Sequence, residues 1–161
     1  MTPASILRTF ETNYSALMAN LDGISDDEAL ILPKPAGNPI NWVVGHILIS
    51  RDVILTAMSE KHVMKDEESV HYKRGAEVED VNALIPLSKL IESFQLSQER
   101  LKAGLSRLGE KDINKPGGSG ENDRNQNSLA DQLSFIQFHE TYHIGQTGLL
   151  RRLVGKKGSI A

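Results

Sequence analysis

No cysteine occurs anywhere in the 161 residues, which removes disulfides, thiolate metal ligands and an internal nucleophilic thiol at once. Any thiol chemistry must then come from a bound small molecule. Neither sign of charge dominates: 18 basic residues stand against 21 acidic ones, a formal charge of −3. So weak a field gathers neither nucleic acid nor anionic lipid, and both are set aside as partners. The N-terminal stretch MTPASILRTFETNYS has no basic patch leading into an apolar run. No unbroken apolar stretch approaches the roughly 18 residues that span a bilayer. The expectation is a cytoplasmic protein acting on a small molecule. Strand-like alternation is also missing, which leaves helices to build the core.

A chain of this length makes one domain, residues 1–161, and buries roughly 70% of its unfolded surface without a staple. Four long segments have helical periodicity. The first starts at Thr2-Pro3, a cap followed by proline at the first helical position, and sets Ile6, Phe10, Leu17 and Leu21 on one face before ending near Asp22-Gly23. Ser25-Asp26-Asp27-Glu28 is a capping box that predicts a short helix over 26–32, stopped by Pro33 and Pro35. Asn38-Pro39 opens the second long helix, striped by Ile40, Val43, Ile47, Ile54 and Met58 and running to about Ser59. The third covers about 87–108 with Leu90, Phe94, Leu101, Leu105 and Leu108 inward. Ser128 caps the fourth, which has Leu129, Leu133, Ile136, Leu150 and Val154 and stops at Gly155.

Two connections are long. Residues 60–84 are charged and weakly periodic, which predicts an extended crossover between distant helix ends. Residues 111–127, rich in glycine, asparagine and charge, predict a mobile loop. Four amphipathic helices with two longer connections describe an all-α four-helix bundle.

The chemistry concentrates in HETYH at 139–143. The letters satisfy the HExxH pattern in which two histidines bind zinc and the glutamate is a general base. His139 and His143 lie about 40° apart around the helix, so both imidazoles can reach one ion. Two histidines meeting solvent or capping a bundle end are the plainer alternative. A zinc protease needs a third ligand downstream, and none exists: position 149 is leucine, and 141–161 hold no acid and no histidine but His143. An upstream ligand must come from His46, His62 or His71. The last two sit in the charged connection and read as solvated. His46 lies mid-helix in INWVVGHILIS, on the shoulder of the buried stripe, where a hydrogen-bonded core histidine and a third metal ligand both fit. Three ligands with room beside the ion define an open, catalytic type of site.

NWVVGHILISRD and HETYHIGQTGLLRRLVG together resemble the DinB/YfiT-like family of metal-dependent enzymes. The resemblance covers nearly the whole chain and rests on a tryptophan and glycine before the first histidine, then HxxxH followed by Gly-Gln and an arginine-containing end. It implies an up-up-down-down-like DinB four-helix bundle with long crossover connections, often a homodimer. It further implies a divalent metal, zinc or nickel, on His46, His139 and His143. The implied activity is transfer of a low-molecular-weight thiol co-substrate to an electrophilic small molecule. Metal-dependent hydrolysis of a small ester or amide, and non-catalytic metal binding in a stress response, are the alternatives.

Glu140 lies about 30° from the centre of the apolar stripe and faces inward on that arithmetic. It is a candidate catalytic base, a partner orienting an imidazole, or a carboxylate paired with Arg or Lys. Trp42 reads as a core anchor rather than a substrate platform. Arg151 and Arg152 read as partners of the helix C-terminal dipole rather than as an anion site.

Overall fold

The computed structural model describes residues 1–76, 81–116 and 127–159. Among them are α1 Pro3–Leu21, α2 Asp26–Ala29, α3 Ile40–Ala57, α4 Asp66–Ser69, α5 Leu87–Ser106, α6 Glu110–Ile113 and α7 Leu129–Leu153, with no strand. α1 and α7 start where a side chain satisfies their first amides, whereas α3 and α5 start after Pro39 and Pro86 without a side-chain cap. Thr2 Oγ1 accepts from Ser5 N at 3.1 Å and Ser128 Oγ from Asp131 N at 3.1 Å. The Ser25 box closes both ways, Oγ accepting from Glu28 N at 3.1 Å and Glu28 Oε2 from Ser25 N at 2.9 Å. α2 ends at Ala29, earlier than expected, its last turn tightening into i→i−3 bonds from Leu30 N to Asp27 O at 3.1 Å and from Ile31 N to Glu28 O at 3.3 Å ahead of Pro33.

α1, α3, α5 and α7 form the bundle, with α1 and α3 each packing on both α5 and α7. Hydrogen bonds fix the directions. Asn13 Nδ2 donates to Gln137 O at 3.2 Å, and Asn20 Nδ2 to Ile144 O at 3.0 Å, so α1 and α7 run parallel. Arg51 donates to Ser97 at 2.9 Å, and Met58 packs against Gly104, so α3 and α5 are parallel too. Against α7, Val43 lies near Gln146 while Ile54 shares a core cluster with Leu133 and Ile136, which makes that pair antiparallel. The order is therefore up-down-down-up, not the up-up-down-down order that the resemblance implied. Parallel neighbours α3 and α5 need a connection that retraces the bundle's length, which is why residues 58–86 are long.

That connection is more built than its sequence implied. It contains α4 and a 3₁₀ turn at Val70–Tyr72, and Met64 and Tyr72 are buried in the core. Asp52 on α3 pins it, its carboxylate accepting from Val63 N at 2.8 Å and Met64 N at 3.1 Å. Residues 77–80 lie outside the described residues. The predicted loop at 111–127 begins instead with α6, where Gly109 N donates to Asp112 Oδ2 at 2.7 Å and Ile113 is fully buried. Residues 117–126 of that loop are outside the described residues.

α3 is long and apolar enough to span a membrane by length and composition, with 18 residues and mean hydropathy 1.2, but 67% of it is buried inside the bundle. Burial on most faces explains that composition. On α7, Phe135, Phe138, Tyr142, Leu149 and Leu153 fall within an arc of about 60°, and each is 59–66% exposed.

Candidate metal centre

α3 and α7 bring His46, His139 and His143 together, while His62 stays exposed against Thr56 and His71 stays on the connection, apart from the cluster. His139 Nε2 is 3.2 Å from His46 Nε2 and 3.1 Å from His143 Nε2. A tetrahedral ion with bonds of about 2.0–2.1 Å separates its nitrogen ligands by about 3.3–3.4 Å. Those two separations have the dimensions of edges of a metal's coordination face.

The rings are oriented by acceptors behind them. His46 Nδ1 is 2.7 Å from the carbonyl oxygen of Tyr72, and His143 Nδ1 is 2.7 Å from Oε1 of Gln146. Neither oxygen can donate, so both Nδ1 atoms carry the proton and both Nε2 atoms present lone pairs to the centre. His139 can offer one Nε2 proton at most, which leaves a lone pair facing a lone pair. A divalent cation satisfies all three, and this is the ground on which the residues fit a metal. The Nδ1 of His139 is buried without a hydrogen-bond partner.

Trp42 stacks on His46 with centroids 4.7 Å apart and planes 10° from parallel. It walls His46 as a core anchor and is 5% exposed. Phe135 stacks on His139 at 6.3 Å, and Tyr142 meets His143 edge-on at 5.1 Å. Low dielectric disfavours imidazolium, so burial pushes His139 down to about 4, helped by its two histidine neighbours. Burial also lowers His143, with Gln146 opposing the shift. Both imidazoles are therefore neutral at pH 7.

A pH dependence follows. Unfolded histidine protonates near 6.5 while folded His139 resists until about 4, so the unfolded state binds more protons across that window and stability falls as pH falls. Thermal denaturation of metal-stripped protein should give a flat melting temperature above pH 7 and a decline from about 6.5 to about 4. The decline should be shallower in His139→Gln. An equal slope in the two proteins would contradict the burial described for His139.

Glu140 does face inward, at 1% exposure, but its partner is Arg51, itself 0% exposed. Arg51 Nε donates to Glu140 Oε2 and Nη2 to Oε1, both at 2.8 Å, while Nη1 donates to Ser97 Oγ at 2.9 Å. The guanidinium lies 3.9 Å over the Phe94 ring. With both oxygens accepting from the guanidinium fork, and no histidine nitrogen among its partners, the carboxylate ties α3 to α7. Arg151 likewise serves the frame, donating to the carbonyls of Asn20 at 3.0 Å, of Lys157 at 2.7 Å and of Asp22.

Three partners escaped the sequence reading. Arg51 sits near the middle of the apolar stripe of α3, at about 40° from Ile47 on the helical wheel, a position that demands a buried counter-charge. Gln146, three residues past His143, is within helical reach of it. The Tyr72 carbonyl is backbone and leaves no trace in the sequence, although Gly45 marks the space its side chain occupies.

A four-helix bundle with three histidines from two antiparallel helices, their Nε2 atoms converging, defines a helical protein with a site that a divalent metal fits. The chain belongs to the DinB superfamily, whose family model matches residues 9–147. Among solved structures it is similar to one described as the conserved protein of locus from Enterococcus faecalis. That match has 17% identity, covers 96% of this chain and 98% of the other, and has a TM-score of 0.73, which shows a shared fold. A search of curated proteins finds no match.

Proposed function

We propose that this protein is a divalent-metal-dependent enzyme, with zinc or nickel on His46, His139 and His143, that transfers a low-molecular-weight thiol to an electrophilic small molecule. The carrying observation is the convergence of three Nε2 atoms, two with the proton held on Nδ1 by an oxygen acceptor. An ion held there stabilises an anionic nucleophile beside an electrophile. The chain has no cysteine, so a thiol nucleophile arrives from solution.

Glu140 favours thiol transfer over hydrolysis. Hydrolysis in the HExxH manner needs the glutamate as base, whereas here both of its oxygens accept from Arg51. A thiol, once ionised, needs no further base. The same reading takes the protein as a cytoplasmic homodimer, and the exposed apolar arc of α7 supports a second copy as its cover.

Protein purified without a histidine tag should contain near-stoichiometric metal and consume thiol when offered electrophiles. His139→Ala should lose both, by more than the roughly 10–100-fold typical of removing only a ligand's hydrogen-bond partner. Full metal in His139→Ala would overturn the site. Metal-loaded wild type that turns over esters or amides without thiol would favour hydrolysis. Bound metal with no turnover on any substrate would favour the non-catalytic reading.

A further inference from the structure

Gly145 stands exposed in the interior of α7, where a Cβ would meet no atom within 4 Å among the described residues. Glycine inside a helix destabilises it relative to alanine, and packing within this chain gives no reason for it here. Gly148 differs, since a Cβ there would lie 3.4 Å from the Asn20 side chain, so that glycine serves the contact of α1 with α7. Together with Leu149 and Arg152 the two glycines line a notch of about 360 Å³. Benzene fills a cavity of about 150 Å³, so the notch has room for an aromatic ring.

The exposed apolar arc of α7 begins at Phe135 and ends at Leu153, which puts its midpoint at position 144. Phe138, Gly145 and Arg152 lie on one flank of that arc, about 40°, 60° and 80° from Tyr142 in the same sense. A two-fold axis through the midpoint, perpendicular to the helix, reverses its direction but brings equal flanks together. Phe138 of one copy then falls level with Leu150 of the other, beside the notch between Gly148 and Arg152. Knob and hole match on a single helix, and the Arg152 guanidinium at the rim supplies a cation for the ring face. At 59–66% exposure, the five side chains of the arc offer roughly 600 Å², and Ile31 and Leu32 beside Leu153 bring the face toward the about 800 Å² that each partner gives a standard interface.

We propose that a second copy of this chain packs antiparallel on α7 about a two-fold axis near residue 144, each copy seating Phe138 in the Gly145–Gly148 notch of the other. The proposal rests on the homodimer reading, to which it adds the surface and the register, and it is independent of the thiol chemistry. The same arc carries Phe135, stacked on His139, and Tyr142, edge-on to His143. A second copy seated there covers the outer walls of both α7 histidines.

Sedimentation equilibrium of the full chain tests the surface, and cross-linking tests the register. Wild type should be a dimer, and Phe138→Ser and Gly145→Gln should each weaken it at least about tenfold. Both positions are exposed, so circular dichroism should show the helix content of wild type in each variant. The chain has no cysteine, which makes a single introduced thiol diagnostic. Gly145→Cys, next to the axis, should form a disulfide-linked dimer on mild oxidation, because the two copies of that position approach the Cα separation of about 4.4–6.8 Å that a disulfide spans. Arg8→Cys, exposed on α1 away from this face, should stay unlinked. A monomeric wild type would sink the homodimer reading and the interface together, leaving the arc to some other partner. A dimer that both substitutions leave intact would overturn the α7 surface alone, and a dimer that Gly145→Cys fails to link would overturn the register.

Discussion

Replacement of Glu140 by alanine is expected to lower the unfolding free energy by about 3–5 kcal/mol, because it strands a fully buried guanidinium without its counter-ion. Taking both charges out of water is expensive, and the pair repays it only through geometry: two parallel 2.8 Å bonds to the carboxylate, a third donor on Ser97 and the flat face against Phe94. Arg51→Ala should cost a similar amount, leaving the Glu140 carboxyl buried without its partner. The double replacement Arg51→Met with Glu140→Leu removes both charges and keeps the volume, and should recover most of the loss. Chemical denaturation of the four proteins measures this. If each single variant loses less than about 1 kcal/mol, the pair is not the buried tie described. The double variant also tests the glutamate as a base: turnover retained without Glu140 removes it from the chemistry, whereas turnover lost from a stable, metal-loaded protein restores it.

Gly45→Ala should weaken metal binding at the proposed centre without touching any of its three histidines. A Cβ at position 45 would lie 2.1–2.6 Å from three ring atoms of Tyr72, and those atoms include the base of a fully buried ring that has no room to swing aside. Tyr72 is fastened at its far end as well, its hydroxyl accepting from Ile85 N at 2.8 Å and donating to Asn41 at 3.3 Å. Burial pushes that phenol up to about 12, so it stays a neutral donor. The added methyl must therefore displace the Tyr72 backbone, and with it the carbonyl that holds His46 in its tautomer. Overpacking of this kind costs about 1–3 kcal/mol, and losing a ligand's orienting partner costs about 10–100-fold in metal affinity. Tyr72→Phe is the control: it keeps the ring and the carbonyl, forfeits about 1 kcal/mol of hydrogen bonding, and should keep its metal. Competitive chelator titration reads the affinities. Wild-type affinity in Gly45→Ala would show that the carbonyl does not matter to His46.

Legibility in the sequence followed the range of the interactions concerned. The four long helices were readable because caps and apolar spacing act within a few residues, and Thr2, Ser25 and Ser128 cap as their positions require. The described part of the connection was less so. Its charged letters dominate, while the contacts that bury Met64 and Tyr72 come from α3, including the Asp52 carboxylate more than ten residues earlier. Arg51, which the sequence reading passed over, is a charge in an apolar stripe, and nothing in the one-dimensional order says that its partner is 89 residues away.

The sequence by itself determined that His139 and His143 share one helix face and that Glu140 turns inward, since helical geometry alone sets both. Tertiary structure decided the remainder: that His46, 93 residues from His139, completes the triangle, that a carbonyl and an amide oxygen turn lone pairs toward its centre, and that the glutamate of HETYH belongs to Arg51. Those outcomes depend on how α3 and α7 pack, and packing is settled by the whole core at once, not by any segment within it.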